Sequence, residues 1–192
     1  MTPQAKPIEN NPYPGLINSG IEFFNCPEGE VNIILNKRII LFTELPFAII
    51  QILKEDISKN KDVELALHDM HPHSEYNRLE QFAKCRFGGL DFQADIENNT
   101  LQEGEYWDCP LHGKCAAEGI ICKLPKVNGE RLVKQEVDLM RLLSSEMTNE
   151  IIAEQLNLAF GTFHLVKKKL YKKLKVLTKQ GVARIATALN II

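Results

Sequence analysis

Four of the five cysteines in this chain are spaced so that they could converge on one metal centre. Cys109, Cys115 and Cys122 fall within the single stretch DCPLHGKCAAEGIICK, and Cys85 lies upstream in AKCRFGGLD. Four thiolates at about 2.3 Å from a Zn²⁺ ion would close a tetrahedral structural site, and its binding free energy would become folding free energy. The intervals are 23, 5 and 6 residues, without a CxxC knuckle. His112 is an alternative fourth ligand, although C-x2-H-x2-C is tightly spaced for one ion. Zinc is the leading reading. A [4Fe–4S] cluster, which also takes four cysteines and would make the protein a redox or metal sensor, is the alternative. Buried free thiols acting as small hydrophobes are the third option. Cys26 is remote in sequence and is left out of the set. His68, His71 and His73 flank Pro72, where a surface turn accounts for them as well as a metal does.

The remaining chemistry is electrostatic. Nothing orders a cysteine and a histidine into a nucleophile, base and orienter, and neither a Gly-rich phosphate loop nor HExxH occurs, so no catalytic residue is assigned. Residues 131–192 carry 11 Lys and Arg against 5 Asp and Glu, whereas residues 1–130 carry 12 against 20. An acidic body with a basic C-terminal module points to a polyanion bound at one end. No apolar run is long enough to span a bilayer and the first residues lack a secretory pattern, so the expectation is a cytoplasmic protein without a membrane partner. In that compartment thiols and metal ligands are expected in place of disulfides.

The elements that would position these groups follow from periodicity. Residues 1–20, with four prolines, read as an irregular arm. Residues 21–130 read as an α+β domain that contains the cysteines. IEFF, VNIIL and RIILF form a small antiparallel meander, with Cys26 in its first turn. A helix follows, with Thr43 as cap, Pro46 in the first turn, and Phe47, Ile50, Leu53 and Ile57 facing inward. A weaker helix covers 62–70. Ser74 caps another that runs to Cys85, with Tyr76, Leu79 and Phe82 on one face, and Gly88-Gly89 ends it. Residues 90–130 are mostly irregular, and such a stretch needs a staple.

Residues 131–192 read as an all-α helix-turn-helix domain of about four helices. Leu139, Met140, Leu142 and Leu143 line a first short helix. Thr148 caps a second, with Ile151, Ile152, Ala153 and Leu156 inward, and 157–161 make the turn. A third helix buries Phe163, Val166, Leu170 and Leu174. Its opposite face presents His164, Lys168, Lys172 and Lys175, flanked by Lys167, Lys169 and Lys173. A helix-turn-helix puts the N-terminal part of its second helix into the major groove, so 161–168 would face base edges while later lysines meet phosphates.

This stretch resembles the C-terminal DNA-binding domain of the LuxR family of bacterial transcription regulators. The family's Leu-Thr-x-Arg-Glu start corresponds to Leu132, Val133, Lys134, Gln135 and Glu136, keeping the glutamate. Its Ser-Asn-x-x-Ile-Ala element appears as Thr148 to Ala153, its Thr-Val-Lys-x-His as Thr162 to Val166, and its Lys-Leu-x-Val as Lys173 to Val176. The family's turn glycine is Glu146 here and its cap serine is Ala159. The recognition Lys and His are His164 and Val166, so no operator is inferred. The resemblance implies double-stranded DNA as partner, contact with the transcription machinery, and a homodimer through a fourth helix at 178–190, using Val182, Ile185, Ala186 and Leu189. Packing of that helix on its own module is the other option. The DNA-binding residues expected are Thr148, Asn149, Gly161, Thr162, His164, Leu165, Lys167, Lys168, Lys169 and Lys172, and the metal ligands expected are Cys85, Cys109, Cys115 and Cys122. The expected function is transcription regulation through DNA binding, by a body held together by zinc. The alternatives are an iron–sulfur or metal sensor controlling DNA binding, and an adaptor whose helix-turn-helix binds a protein.

Overall fold

The structure is a computed structural model and describes residues 12–192 other than 17, 28, 108 and 190. Most of the arm expected at 1–20 lies outside the described residues. Its described end is tied down, because Asn18 Oδ1 accepts from the Gly15 and Gly20 amides, and the Lys37 amide donates to the Gly15 carbonyl. Gly15 has φ +77°, and a Cβ there would collide with the Ile34 carbonyl, so only glycine fits.

The meander forms as expected, from β1 (Glu22–Asn25), β2 (Val31–Leu35) and β3 (Arg38–Leu41), antiparallel in the order β1-β2-β3. Asn36 and Lys37, both at positive φ, make the two-residue β2–β3 turn whose twist suits a hairpin. Phe23 and Ile33 pair across the sheet and are fully buried against α1 (Phe47–Ser58), α2 (Lys61–Met70) and α3 (Glu75–Arg86). Leu53, Leu67, Phe82 and Phe87 complete this first core.

The start of α1 differs from the reading of the sequence. Thr43 sits in a separate 3-10 turn (Phe42–Glu44) and does not cap the helix. Leu45 is held extended, as a residue before proline tends to be, and Pro46 itself stands at the N-cap. Helix phase therefore turns Ile49 and Leu53 inward and leaves Phe47 73% exposed. Asn60 and Ser74 cap α2 and α3 through their side chains. Tyr76 is exposed at the rim, edge-on to Phe42.

Within 90–131 two short hairpins interrupt the irregular chain: β4 (Ile96–Glu97) with β5 (Thr100–Leu101), and β6 (Lys126–Val127) with β7 (Glu130–Arg131). Their turns, Asn98-Asn99 and Asn128-Gly129, all have positive φ. A second core joins Leu124 and Leu132 to α4 (Lys134–Leu143), α5 (Asn149–Gln155), α6 (Phe160–Leu174) and α7 (Lys179–Ala188). Ile121 belongs to the first core and Leu124 to the second, so the chain passes between them just ahead of the β6–β7 hairpin.

Glu118 joins the two. Its side chain is almost fully buried and accepts from Arg141 at 2.7 Å, Lys134 at 2.7 Å, the Gly113 amide at 3.0 Å and the Tyr106 hydroxyl at 3.1 Å. Burial alone would raise its pKa, but the Arg141, Lys134 and Gly113 donors outweigh that and lower it to about 2. Arg141 also donates to the Tyr106 hydroxyl and to the Ile191 carbonyl. Removing Arg141 leaves the buried carboxylate under-compensated, with Lys134 as its remaining cation among the described residues. Arg141→Met should therefore lower stability by roughly 3 kcal/mol in urea unfolding.

A second buried carboxyl group works in the opposite sense. Glu22 and Asp95 are buried beside Glu105; the Asp91 amide donates to Glu22, the Phe23 amide to Asp95 and the Gly89 amide to Glu105. Glu22 Oε2 has no partner among the described residues. Burial, reinforced by the neighbouring carboxylates, pushes Glu22 and Glu105 up to about 8. A carboxyl whose folded pKa is raised stabilises fully below its unfolded value, near 4.5, and loses that contribution as pH climbs to about 8. The melting temperature should fall by several degrees between about pH 5 and about pH 9, and Glu22→Gln should flatten part of that slope.

Candidate nucleic-acid interface

Thr148 caps α5, its Oγ1 accepting the Ile151 amide at 3.5 Å, and Ile152 and Ala153 are buried beneath. Asn157, at φ +52°, turns the chain back toward α6, a conformation that asparagine tolerates better than most residues. Phe163, Leu170 and Leu174 fix one side of α6 in the second core, with Val166 half-buried. The opposite side is therefore determined, and Gly161, Thr162, His164, Leu165, Lys168, Lys169 and Lys172 all stand exposed on it. No side chain caps α6 at Ala159, so its first-turn amides are not covered by a cap residue. A Cβ at Gly161 would meet no atom within 4 Å, so the helix start is also sterically open.

Two expected contacts are engaged inside the protein. Lys167 donates to Asn149 Oδ1 at 3.2 Å and lies over the Tyr171 ring at 5.4 Å, so both residues are half-buried at the α5–α6 seam. Burial lowers the Lys167 pKa, with Lys179 adding to the effect. Lys173 bridges the Arg131 carbonyl and Glu136, at 3.0 and 2.7 Å. Lys175 does not extend the exposed face, because α6 ends at Leu174 and Lys175 adopts φ +56° as its left-handed cap. Sequence periodicity missed Phe160, which is 46% exposed at the helix start and meets His164 edge-on at 4.4 Å.

The structure does not assemble the expected cysteine site. Cys85, Cys109, Cys115 and Cys122 are all half-buried free thiols, and Cys85 and Cys115 pack against the first core. Burial first, and then the neighbouring thiols, push Cys85 up to about 11. Yet no three His, Cys, Asp or Glu side chains among the described residues are placed to hold one metal ion. His112 is stacked on Tyr106 at 4.1 Å, and His71 faces Gln81 at 3.3 Å. Cys26 accepts from Asn32 in the β1–β2 turn.

The sequence of this helical region has a counterpart among known protein families. Residues 130–186 match the family model of the bacterial regulatory proteins, luxR family. No match was found among curated proteins or among solved structures. The matched LuxR-type region begins within β7 and covers α4, α5, α6 and most of α7. Its retained glutamate, Glu136, has a visible duty: it accepts the Val133 amide at the start of α4 and the Lys173 ammonium from α6. The α7 face that the resemblance offered for dimerisation is largely occupied within the chain. Val182 and Ala186 are buried in the second core, with Ile185 and Leu189 packed against it.

The left-handed cap of α6 yields a stability test. Lysine at φ +56° carries a steric cost that glycine lacks. Lys175→Gly should stabilise the LuxR-type region by about 1 kcal/mol, read as a higher melting temperature.

Proposed function

We propose that this chain is a transcription regulator that binds double-stranded DNA with α6 in the major groove. The observation carrying this reading is the fixed orientation of α6. Its buried residues leave Gly161, Thr162, His164, Leu165, Lys168, Lys169 and Lys172 on one exposed face, in a region matching a family of bacterial regulators. Thr162 and His164 are in position to read base edges, while Lys168, Lys169 and Lys172 neutralise phosphates. Thr148, at the start of α5, is placed to meet the flanking backbone, whereas Asn149 and Lys167 chiefly hold α5 to α6. A homodimer suits two half-sites of a groove-reading protein. With Val182 and Ala186 committed to the core, a partner would meet the outer side of α7, around Arg184, Thr187 and half-buried Leu189.

Genome-wide recovery of fragments bound to the full chain, followed by titration of one recovered fragment at several salt concentrations, tests this. Lys168→Ala with Lys172→Ala should weaken binding at all sequences and reduce the salt slope by about one per lost phosphate contact. A wild-type chain that retains no DNA at low salt would remove the proposal. In that outcome the exposed α6 face would serve a protein partner.

A further inference from the structure

We propose that Phe160 is a specificity-determining residue of the DNA-reading surface. Its ring holds the His164 imidazole in one orientation, and its exposed side meets the 5-methyl group of a thymine beside the base that His164 contacts. This role rests on α6 as the groove-reading helix, and it adds an apolar contact to a face whose assigned contacts are polar or charged.

Three aromatic rings crowd the first turns of α6. Phe163 is fully buried and anchored in the second core. Phe160 stacks on it with ring centroids 6.2 Å apart and planes 19° from parallel. His164 stands T-shaped to both, at 4.4 Å and 90° from Phe160 and at 5.4 Å and 72° from Phe163. Edge-to-face packing is a favourable arrangement for aromatic rings, and two such contacts restrict an imidazole that stands on an exposed helix face. A side chain held in this way meets its base with less rotational freedom left to lose. Phe160 and His164 are i and i+4 on the helix, so they share one side of it, and Lys168 continues the same line.

Phe160 has a second side. Its ring is 46% exposed although Phe163 beside it is fully buried. The first turn is the part of a groove-reading helix that reaches base edges. Nothing crowds it here: Ala159 supplies no side-chain cap, and a Cβ at Gly161 would meet no atom within 4 Å. In the major groove thymine displays a methyl group beside its acceptor oxygen, and phenylalanine is among the side chains that meet this methyl by apolar contact. The imidazole can donate or accept a hydrogen bond at the adjacent base edge. The ligand class is therefore duplex DNA with a thymine next to a base pair read by a hydrogen bond.

The experiment selects duplexes from a random pool with the full chain. Thymine is then replaced by uracil, one position at a time, in the best-bound duplex. Uracil pairs as thymine does but lacks the 5-methyl group. At one position uracil should weaken the wild-type chain about fourfold, the worth of one buried methyl group, and leave Phe160→Ala unaffected. His164→Ala should cost the wild type several-fold more than it costs Phe160→Ala, because the ring positions the imidazole. Phe160→Leu, which keeps apolar bulk on Phe163, covers the case in which the alanine variant melts early, and it should uncouple His164 as well. The salt dependence of Phe160→Ala should match the wild type, since no phosphate contact is lost. A wild-type chain indifferent to uracil at every position overturns the methyl contact, as does a Phe160→Ala chain with the wild-type response to it. Equal effects of His164→Ala in both backgrounds overturn the positioning of the imidazole. Either result, from a chain that still binds duplex DNA, leaves the groove-reading role of α6 standing. A wild-type chain that retains no DNA at low salt ends both.

Discussion

The carboxylate of Glu118 is the constraint on which the placement of the two halves depends. It sits almost without solvent among two cations, an amide and a phenol hydroxyl, and every donor comes from a segment that has to arrive there. Such a pair contributes little net stability compared with an apolar substitute, but it tolerates few alternative geometries. Its value here is orientation. It fixes α4, and through Glu136 and Lys173 that orientation passes to α6, the helix with the exposed basic face.

The LuxR-type region was the most legible part of the sequence, because its helices carry strong apolar periodicity and an unambiguous cap at Thr148. The meander was legible for the same reason, with alternation bounded by Asn36 and Lys37. The beginning of α1 was misread: spacing alone admitted Phe47 as an inward residue, and the extended Leu45-Pro46 pair resets the helical phase. The β6–β7 hairpin carried a local signal in Asn128-Gly129, but its two-residue strands were too short to show alternation.

The long-range contacts had no sequence signature. Glu118 and Arg141 are separated by a hairpin and half a helix, and neither stands out by spacing. The same holds for Lys167 and Asn149: a lysine on an amphipathic helix reads as solvent-facing, and only the packing of α5 on α6 shows that it bridges the seam. The cysteines were recognisable as a group by their spacing in sequence. Spacing along an irregular chain does not show whether the fold turns the sulfurs toward one point, and no three metal-binding side chains converge among the described residues.

The carboxyl group formed by Glu22, Asp95 and Glu105 has a thermodynamic consequence of its own. Burial pushes Glu22 and Glu105 up to about 8, so at neutral pH the folded chain favours their protonated forms, whereas in solvent they would ionise. Burial shifts Asp95 in the same direction. Folding around β1 is therefore a proton-uptake reaction. Its apparent enthalpy includes the ionisation heat of whatever buffer supplies those protons, so calorimetric values for this protein acquire meaning only when the buffer is specified.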